Sequence, residues 1–389
     1  MARLADRMTA SLPDAGTLVG RIWNPQAGGP CIVRVENGKL IDITRSFPTM
    51  RDLCEADDPA AAARSAPGGS ALPLADVLAN TPETGRDPSK PWLLAPIDLQ
   101  AIKAAGVTFA ISMLERVIEE RARGNPQAAN EIRKSIQSLI GDDLSKLKPG
   151  SPAAMQLKQV LIDKGVWSQY LEVGIGPDAE IFTKSQAMAA VGHGSDAGLN
   201  AMSKWNNPEP EVVVVVASTG KIAGATLGND VNLRDVEGRS GLLLGKAKDN
   251  NASCAIGPMI RLFDANFSLD HVRRMQLTLT VEGEDGYVLN GSSNMAKISR
   301  DPADLVGQML NRNHQYPDGA VLFLGTLYAP VDDRGAKGQG FTHKLGDIVT
   351  VASPELGSLT NRMVHSHTAA PWTFGASHLM RNLAKRGLL

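Results

Sequence analysis

The sequence predicts an α+β fold built mainly of short strands. Short β-type runs joined by turns rich in Gly, Asn and Asp recur along most of the chain. Helical periodicity gathers in one belt at about residues 106–167. An apolar share of 43% beside 21% charged residues is enough for a sizeable core.

The elements follow in order. Val33 and Val35 alternate with polar residues, Glu36-Asn37-Gly38-Lys39 turns the chain, and Leu40-Ile41-Asp42-Ile43 follows. Asn-Gly between two such runs marks a hairpin. Residues 56–91, rich in Ala, Pro, Gly, Ser and Asp, read as linker and loops around a short helix near Leu74–Leu78. With 389 residues, the chain is expected to divide into a small N-terminal β-rich domain with its linker, 1–90, and a larger domain, 91–389.

From Ile97 to Gly124 the pattern is that of an amphipathic helix. Met113, Leu114, Val117 and Ile118 form its apolar side, among Glu115, Glu119, Glu120, Arg121 and Arg123. A second helical stretch follows Pro126, and a third lies near Met155–Ile162, beyond Pro149-Gly150-Ser151-Pro152. After residue 170 strands return: Val212–Ala217 and Ile222–Leu227 about a Thr219-Gly220 turn, then Met275–Val281 and Tyr287–Leu289, Ala320–Leu324 and Asp347–Val351. A helix at Pro302–Asn311 interrupts them.

Basic and acidic residues nearly cancel, 40 against 41, which argues against nucleic acid or an anionic membrane as partner. Cys31, Cys54 and Cys254 form no C-x-x-C pair and no disulfide framework. The first residues lack a secretory apolar core, and the longest apolar run is too short to span a bilayer. A cytoplasmic location is expected.

The chemistry starts at Pro208-Glu209-Pro210-Glu211, directly before the valine run. Residues i and i+2 of a strand share a face, so Glu209 and Glu211 present two carboxylates together. Oxygen-only ligands suit Mg²⁺, with Mn²⁺ or Ca²⁺ as alternatives, rather than Zn²⁺. Asp230 ends the next strand, and a hairpin returns it to the same place. The plain alternative is a solvated strand entrance and a turn Asp. His193, in Val191-Gly192-His193-Gly194, reads equally as a ligand or base and as a structural histidine. Gly174-x-Gly176-x-x-Ala179 lacks the strand–helix context of a dinucleotide site.

Together, Pro208-Glu209-Pro210-Glu211, Gly228-Asn229-Asp230-Val231-Asn232-Leu233-Arg234-Asp235, Lys248 and Cys254-Ala255-Ile256-Gly257-Pro258 resemble the fumarylacetoacetate hydrolase superfamily over about residues 90–365. The resemblance implies a mixed β-roll core, a small N-terminal domain and a helical lid, here the insert at about 106–167. It implies a metal site at Glu209, Glu211 and Asp230. Glu180-Ile181-Phe182-Thr183-Lys184 and Trp205-Asn206-Asn207 are similar to the 2-keto-3-deoxy-D-arabinonate dehydratase branch. That likeness implies catalytic roles for Glu180 and Lys248, and it adds Lys184 to the candidate substrate contacts. Thr326 and Thr360 lie in segments resembling substrate-binding loops.

One departure bears on the reaction. Hydrolases of this superfamily carry a lid frame G-x-N-Y-x-x-H-x-x-E; here it runs from Gly106 to Glu115 with Ser112 in the histidine's place. A serine hydroxyl is a poor general base near neutral pH. The expected activity is therefore Mg²⁺-dependent dehydration of a 2-keto-3-deoxy sugar acid, in non-phosphorylative pentose catabolism. Lys248 would act as C3 base or as an ammonium steadying the enolate, and Glu180 would protonate the departing C4 hydroxyl. Ser112 and Glu115 join the substrate-contact candidates. The rival readings are an acylpyruvate-type C–C hydrolase, which Glu115 keeps open, and a ligand-binding protein without turnover. A homodimer or homotetramer is expected, with Trp372–Leu389 as a surface for a partner subunit.

Overall fold

The computed structural model describes residues 8, 10–123, 125, 128–129, 147–163, 165, 167–328, 330, 332–335 and 340–389. In chain order its strands are β1 (Leu18–Asn24), β2 (Gly29–Glu36), β3 (Lys39–Asp42), β4 (Ala71–Pro73), β5 (Trp92–Leu93), β6 (Ala101–Gly106), β7 (Glu180–Ser185), β8 (Asp196–Leu199) and β9 (Asn206–Asn207). They continue as β10 (Pro210–Val216), β11 (Ile222–Asp230), β12 (Asn232–Leu233), β13 (Cys254–Leu262), β14 (Gln276–Glu282), β15 (Val288–Asn294), β16 (Ala320–Phe323), β17 (Ile348–Ser353) and β18 (Gly357–His365).

The N-terminal hairpin forms at the expected turn. Glu36 pairs with Lys39, and Asn37 and Gly38 take φ of 49° and 72°, the left-handed pair that a type I′ turn needs. The sheet then runs β4-β3-β2-β1-β13-β11-β10-β16-β6-β7, with β5 on β1. All its neighbours are antiparallel except β16 and β6. Because β1 is hydrogen-bonded to β13, no break in the sheet marks the boundary expected at residue 90.

A second sheet, β15-β14-β17-β18-β8, packs on the first. Val212, Val214 and Val216 enter the core between them with Leu279, Val351 and Leu359. Val213 and Val215 face the other way, toward Met50, Leu53 and Ala60 on the helices Met50–Cys54 and Pro59–Ser65. The uninterrupted valine run therefore reflects a strand covered on both faces.

Two expectations are corrected. Ala101–Gly106 is a strand, not part of a helix starting at Ile97, because it is hydrogen-bonded between β16 and β7. Sheet pairing there overrides the helical preference of its alanines. The helix itself spans Ala110–Arg121. Residues 56–91 also hold a second helix, Pro59–Ser65, capped by the Asp58 side chain, beside the expected one at Leu74–Ala79. The third helical stretch is Pro152–Asp163, while the second lies largely outside the described residues. The terminal helix, Ala376–Lys385, lies on its own chain: Leu379 and Leu383 are buried, and Asn382 Nδ2 donates to the Ala27 carbonyl at 3.1 Å. Among the described residues, no helix is long and apolar enough to cross a membrane.

Candidate metal and substrate site

The strand directions gather the site at one end of the large sheet. β10 is antiparallel to both β11 and β16, so its start meets the end of β11 and the exit of β16. β6 is parallel to β16 and antiparallel to β7, so Gly106 and Glu180 arrive at the same end, paired with each other. The hairpin ladder extends one residue beyond β10, with Asp230 N–H donating to the Glu209 carbonyl at 3.0 Å. Lys248 ends a short helix, Leu244–Lys248, that precedes β13.

Glu209, Glu211 and Asp230 are all buried, and each offers an oxygen within 4.8 Å of the others. Lys248 Nζ lies 2.6 Å from Glu209 Oε2 and 3.1 Å from Asp230 Oδ2. Lys184, fully buried, holds the other side of Asp230, Nζ to Oδ1 at 2.8 Å, and donates to the Lys248 carbonyl at 2.7 Å. Gly325 N–H donates to Glu211 Oε2 at 2.7 Å. Only glycine suits that position, since φ is 89° and a Cβ would stand 2.0 Å from Thr108 Oγ1.

The charges fit a hard divalent cation. The cavity wall carries five acids (Glu180, Glu209, Glu211, Asp230 and Glu237) against two bases, Arg116 and Lys248. Burial, then Asp230 and Glu209, push the Glu211 carboxyl well above its ordinary value. A dication can neutralise that charge in the proton's place, and an all-oxygen donor set suits Mg²⁺. Burial opposes the Lys248 ammonium, but Asp230, Glu209 and Glu237 outweigh it and hold the group charged.

The cavity is also lined by Gly106, Val107, Ser112, Phe182, Gly325 and Thr326. Glu180 is pushed up to about 7, by burial first and then by Glu237, so both of its forms are populated near neutrality. Behind the cavity stands a buried ion network that the sequence reading missed. Arg116 pairs with Glu119 at 2.6 Å, with Glu237 at 3.1 Å, and with Glu209. Arg234 pairs with Glu119 at 2.6 Å and lies over the Trp205 ring at 4.5 Å. Ser112, Arg116 and Glu119, at i, i+4 and i+7, share one helix face, a signal that was available in the sequence.

Not every expected residue reaches the cavity. Ser112 and Thr326 line it, their hydroxyls donating to the carbonyls of Phe109 at 2.9 Å and Tyr328 at 3.2 Å. Lys184, Glu115 and Thr360 are outside its lining. Lys184 is turned to Asp230, and Glu115 lies 3.6 Å from Arg234. Thr360, on β18 in the second sheet, shares a hydroxyl contact of 3.0 Å with Thr350. Its N–H donates to His193 Nδ1 at 3.0 Å, while His193 Nε2 contacts the Met8 carbonyl at 2.6 Å. Burial lowers His193 to about 4, so it is a neutral structural histidine, neither ligand nor base.

Residues 172–364 match the family described as fumarylacetoacetate (FAA) hydrolase, C-terminal. Over those residues the chain is similar to the fumarylacetoacetate hydrolase family. It is also similar to the 2-dehydro-3-deoxy-D-arabinonate dehydratase of Saccharolobus solfataricus, with 34% identity over 180 residues, 46% of this chain and 57% of that protein. The match thus spans less than two thirds of that relative. A "probable 2-keto-3-deoxyxylonate dehydratase" of Haloferax volcanii is 29% identical over 266 residues, 68% of this chain and 73% of the other. A solved 2-keto-3-deoxy-D-arabinonate dehydratase complexed with magnesium and 2,5-dioxopentanoate shares the fold, with a TM-score of 0.61 and 21% identity over 90% of this chain and 99% of that one.

Proposed function

We propose that this chain is a divalent-cation-dependent hydro-lyase that removes water from a 2-keto-3-deoxy sugar acid, with a 2-keto-3-deoxypentonate as substrate and 2-oxoglutarate semialdehyde as product. One juxtaposition carries the reading: Glu180 and Lys248 share a cavity with the Glu209, Glu211 and Asp230 cluster, and Ser112 stands where a hydrolase uses histidine to activate water. The two dehydratase relatives support the substrate class.

A cation held by Glu209, Glu211 and Asp230 supplies Lewis-acid polarisation of the 2-keto group. Lys248, held charged, favours the enolate electrostatically as negative charge develops on the keto oxygen. Lys248 is thereby assigned the charge-stabilising role, and the proton work is assigned to Glu180. Its carboxylate takes the proton from C3, and the acid so formed gives it to the C4 hydroxyl as the C4–O bond breaks. A carboxyl near neutrality is suited to both halves of that transfer. One water leaves, and the product of this step is an unsaturated 5-hydroxy-2-keto acid.

The test is turnover. Protein supplied with Mg²⁺ is expected to form the semialdehyde from 2-keto-3-deoxypentonate and to stop on exhaustive chelation. Full activity after chelation, or pyruvate release from an acylpyruvate instead, overturns the reading.

A further inference from the structure

Loss of water leaves the chemistry incomplete: the unsaturated acid must still be isomerised to the semialdehyde, which moves a proton from C5 to C3. We propose, resting on the function above, that Glu237 is a second catalytic carboxylate of this cavity and carries that proton.

The geometry supplies what the step needs. Glu237 ends the short helix Arg234–Glu237, is buried, and lines the cavity together with Glu180 on β7, so the two carboxyls enter the cavity wall from different elements. Arg116 Nη1 lies 3.1 Å from Glu237 Oε2 and keeps the side chain in the wall, yet among the described residues that oxygen accepts no hydrogen bond. The backbone beneath is fixed by Tyr170, whose hydroxyl donates to the Glu237 carbonyl at 3.3 Å. Burial raises the Glu237 carboxyl, against the pull of Arg116 and Lys248, which makes its ionised form a stronger base.

The step balances without a co-reactant. The C5–H bond breaks and the proton passes to Glu237. The electron pair forms the C4=C5 bond, and the C3=C4 pair moves to C2=C3, leaving negative charge on the keto oxygen beside Lys248. Glu237 then returns the same proton to C3, closing the C3–H bond and restoring its carboxylate. The remaining C4=C5 enol gains a proton at C4, loses its hydroxyl proton and becomes the aldehyde.

Substrate deuterated at C5 separates the two steps. The wild-type protein is expected to place part of that deuterium at C3 of the product, read by NMR. Glu237→Gln keeps the shape of the side chain. It is expected to continue releasing water while the unsaturated acid accumulates, with semialdehyde formation down ~10²-fold. Semialdehyde formed by Glu237→Gln at the wild-type rate overturns the proposal. So does an equal loss of both steps with no unsaturated acid, since that marks a structural role. Wild-type deuterium that never reaches C3 also overturns it. A wild-type protein that releases no water from this substrate refutes the function itself, a result distinct from all of these.

Discussion

Gly106→Ala puts a methyl group against the reacting carboxyl while leaving its chemistry intact. A Cβ at Gly106 would lie 2.2 Å from Glu180 Oε2, 2.7 Å from Cδ and 3.4 Å from Cγ. Carbon and oxygen need roughly 3.4 Å, so the carboxyl must retreat by about 1 Å. A displacement of that size costs on the order of 10²-fold in rate when the group must meet a reacting atom. The clash falls on the end of a flexible side chain, so the strand is expected to hold and Tm to change by only a few degrees. The assay is steady-state semialdehyde formation, with kcat falling and KM little changed. In a Glu180→Gln background the same alanine should cost almost nothing more, a coupling of about 2.7 kcal/mol in a double-mutant cycle. Unchanged kcat in Gly106→Ala, or a full additional loss in the double variant, refutes the placement of Glu180 at the reaction.

With Glu180 at about 7, kcat/KM is expected to fall as pH drops through neutrality, because the proton lost above that value is retained below it; a pH–rate profile flat across this range refutes the base role. Glu119→Ala leaves the half-buried Arg116 and the buried Arg234 each short of a partner and is expected to cost about 3–5 kcal/mol of stability in denaturant titration, more than Glu119→Gln. Lys184→Met removes a cation fixed to Asp230 and is expected to change Mg²⁺ affinity, by calorimetry, more than it changes KM; the reverse pattern restores Lys184 as a substrate contact.

The carboxylate cluster was legible because two short-range rules converge on it. Strand period puts Glu209 and Glu211 together, and a hairpin returns Asp230 beside Glu209. Glu180 and Lys248 were visible only through resemblance, since alone they read as a loop acid and a surface lysine. Arg116 and Glu119 sit in a charge-rich helix whose polar residues read as solvated; ion pairing with Glu209 and Glu237, and the burial of Glu119, which periodicity does not report, make them partners of the site. Strand β6 reads as helix in the sequence because its partners are remote: Ala101 pairs with Ala320, and no local pattern encodes that choice. Thr360 resembles a loop contact in sequence, yet β18 belongs to the other sheet.

That remote pairing also sets when the site comes into being. Gly325 reaches Glu211 across 114 residues, and Thr108 bonds the Leu324 carbonyl across 216. Contacts of such sequence separation form only after long loops have closed, which slows folding relative to local helices and hairpins. During refolding from denaturant, the far-ultraviolet helical signal is therefore expected to return first, and cation binding to be regained only with the last phase.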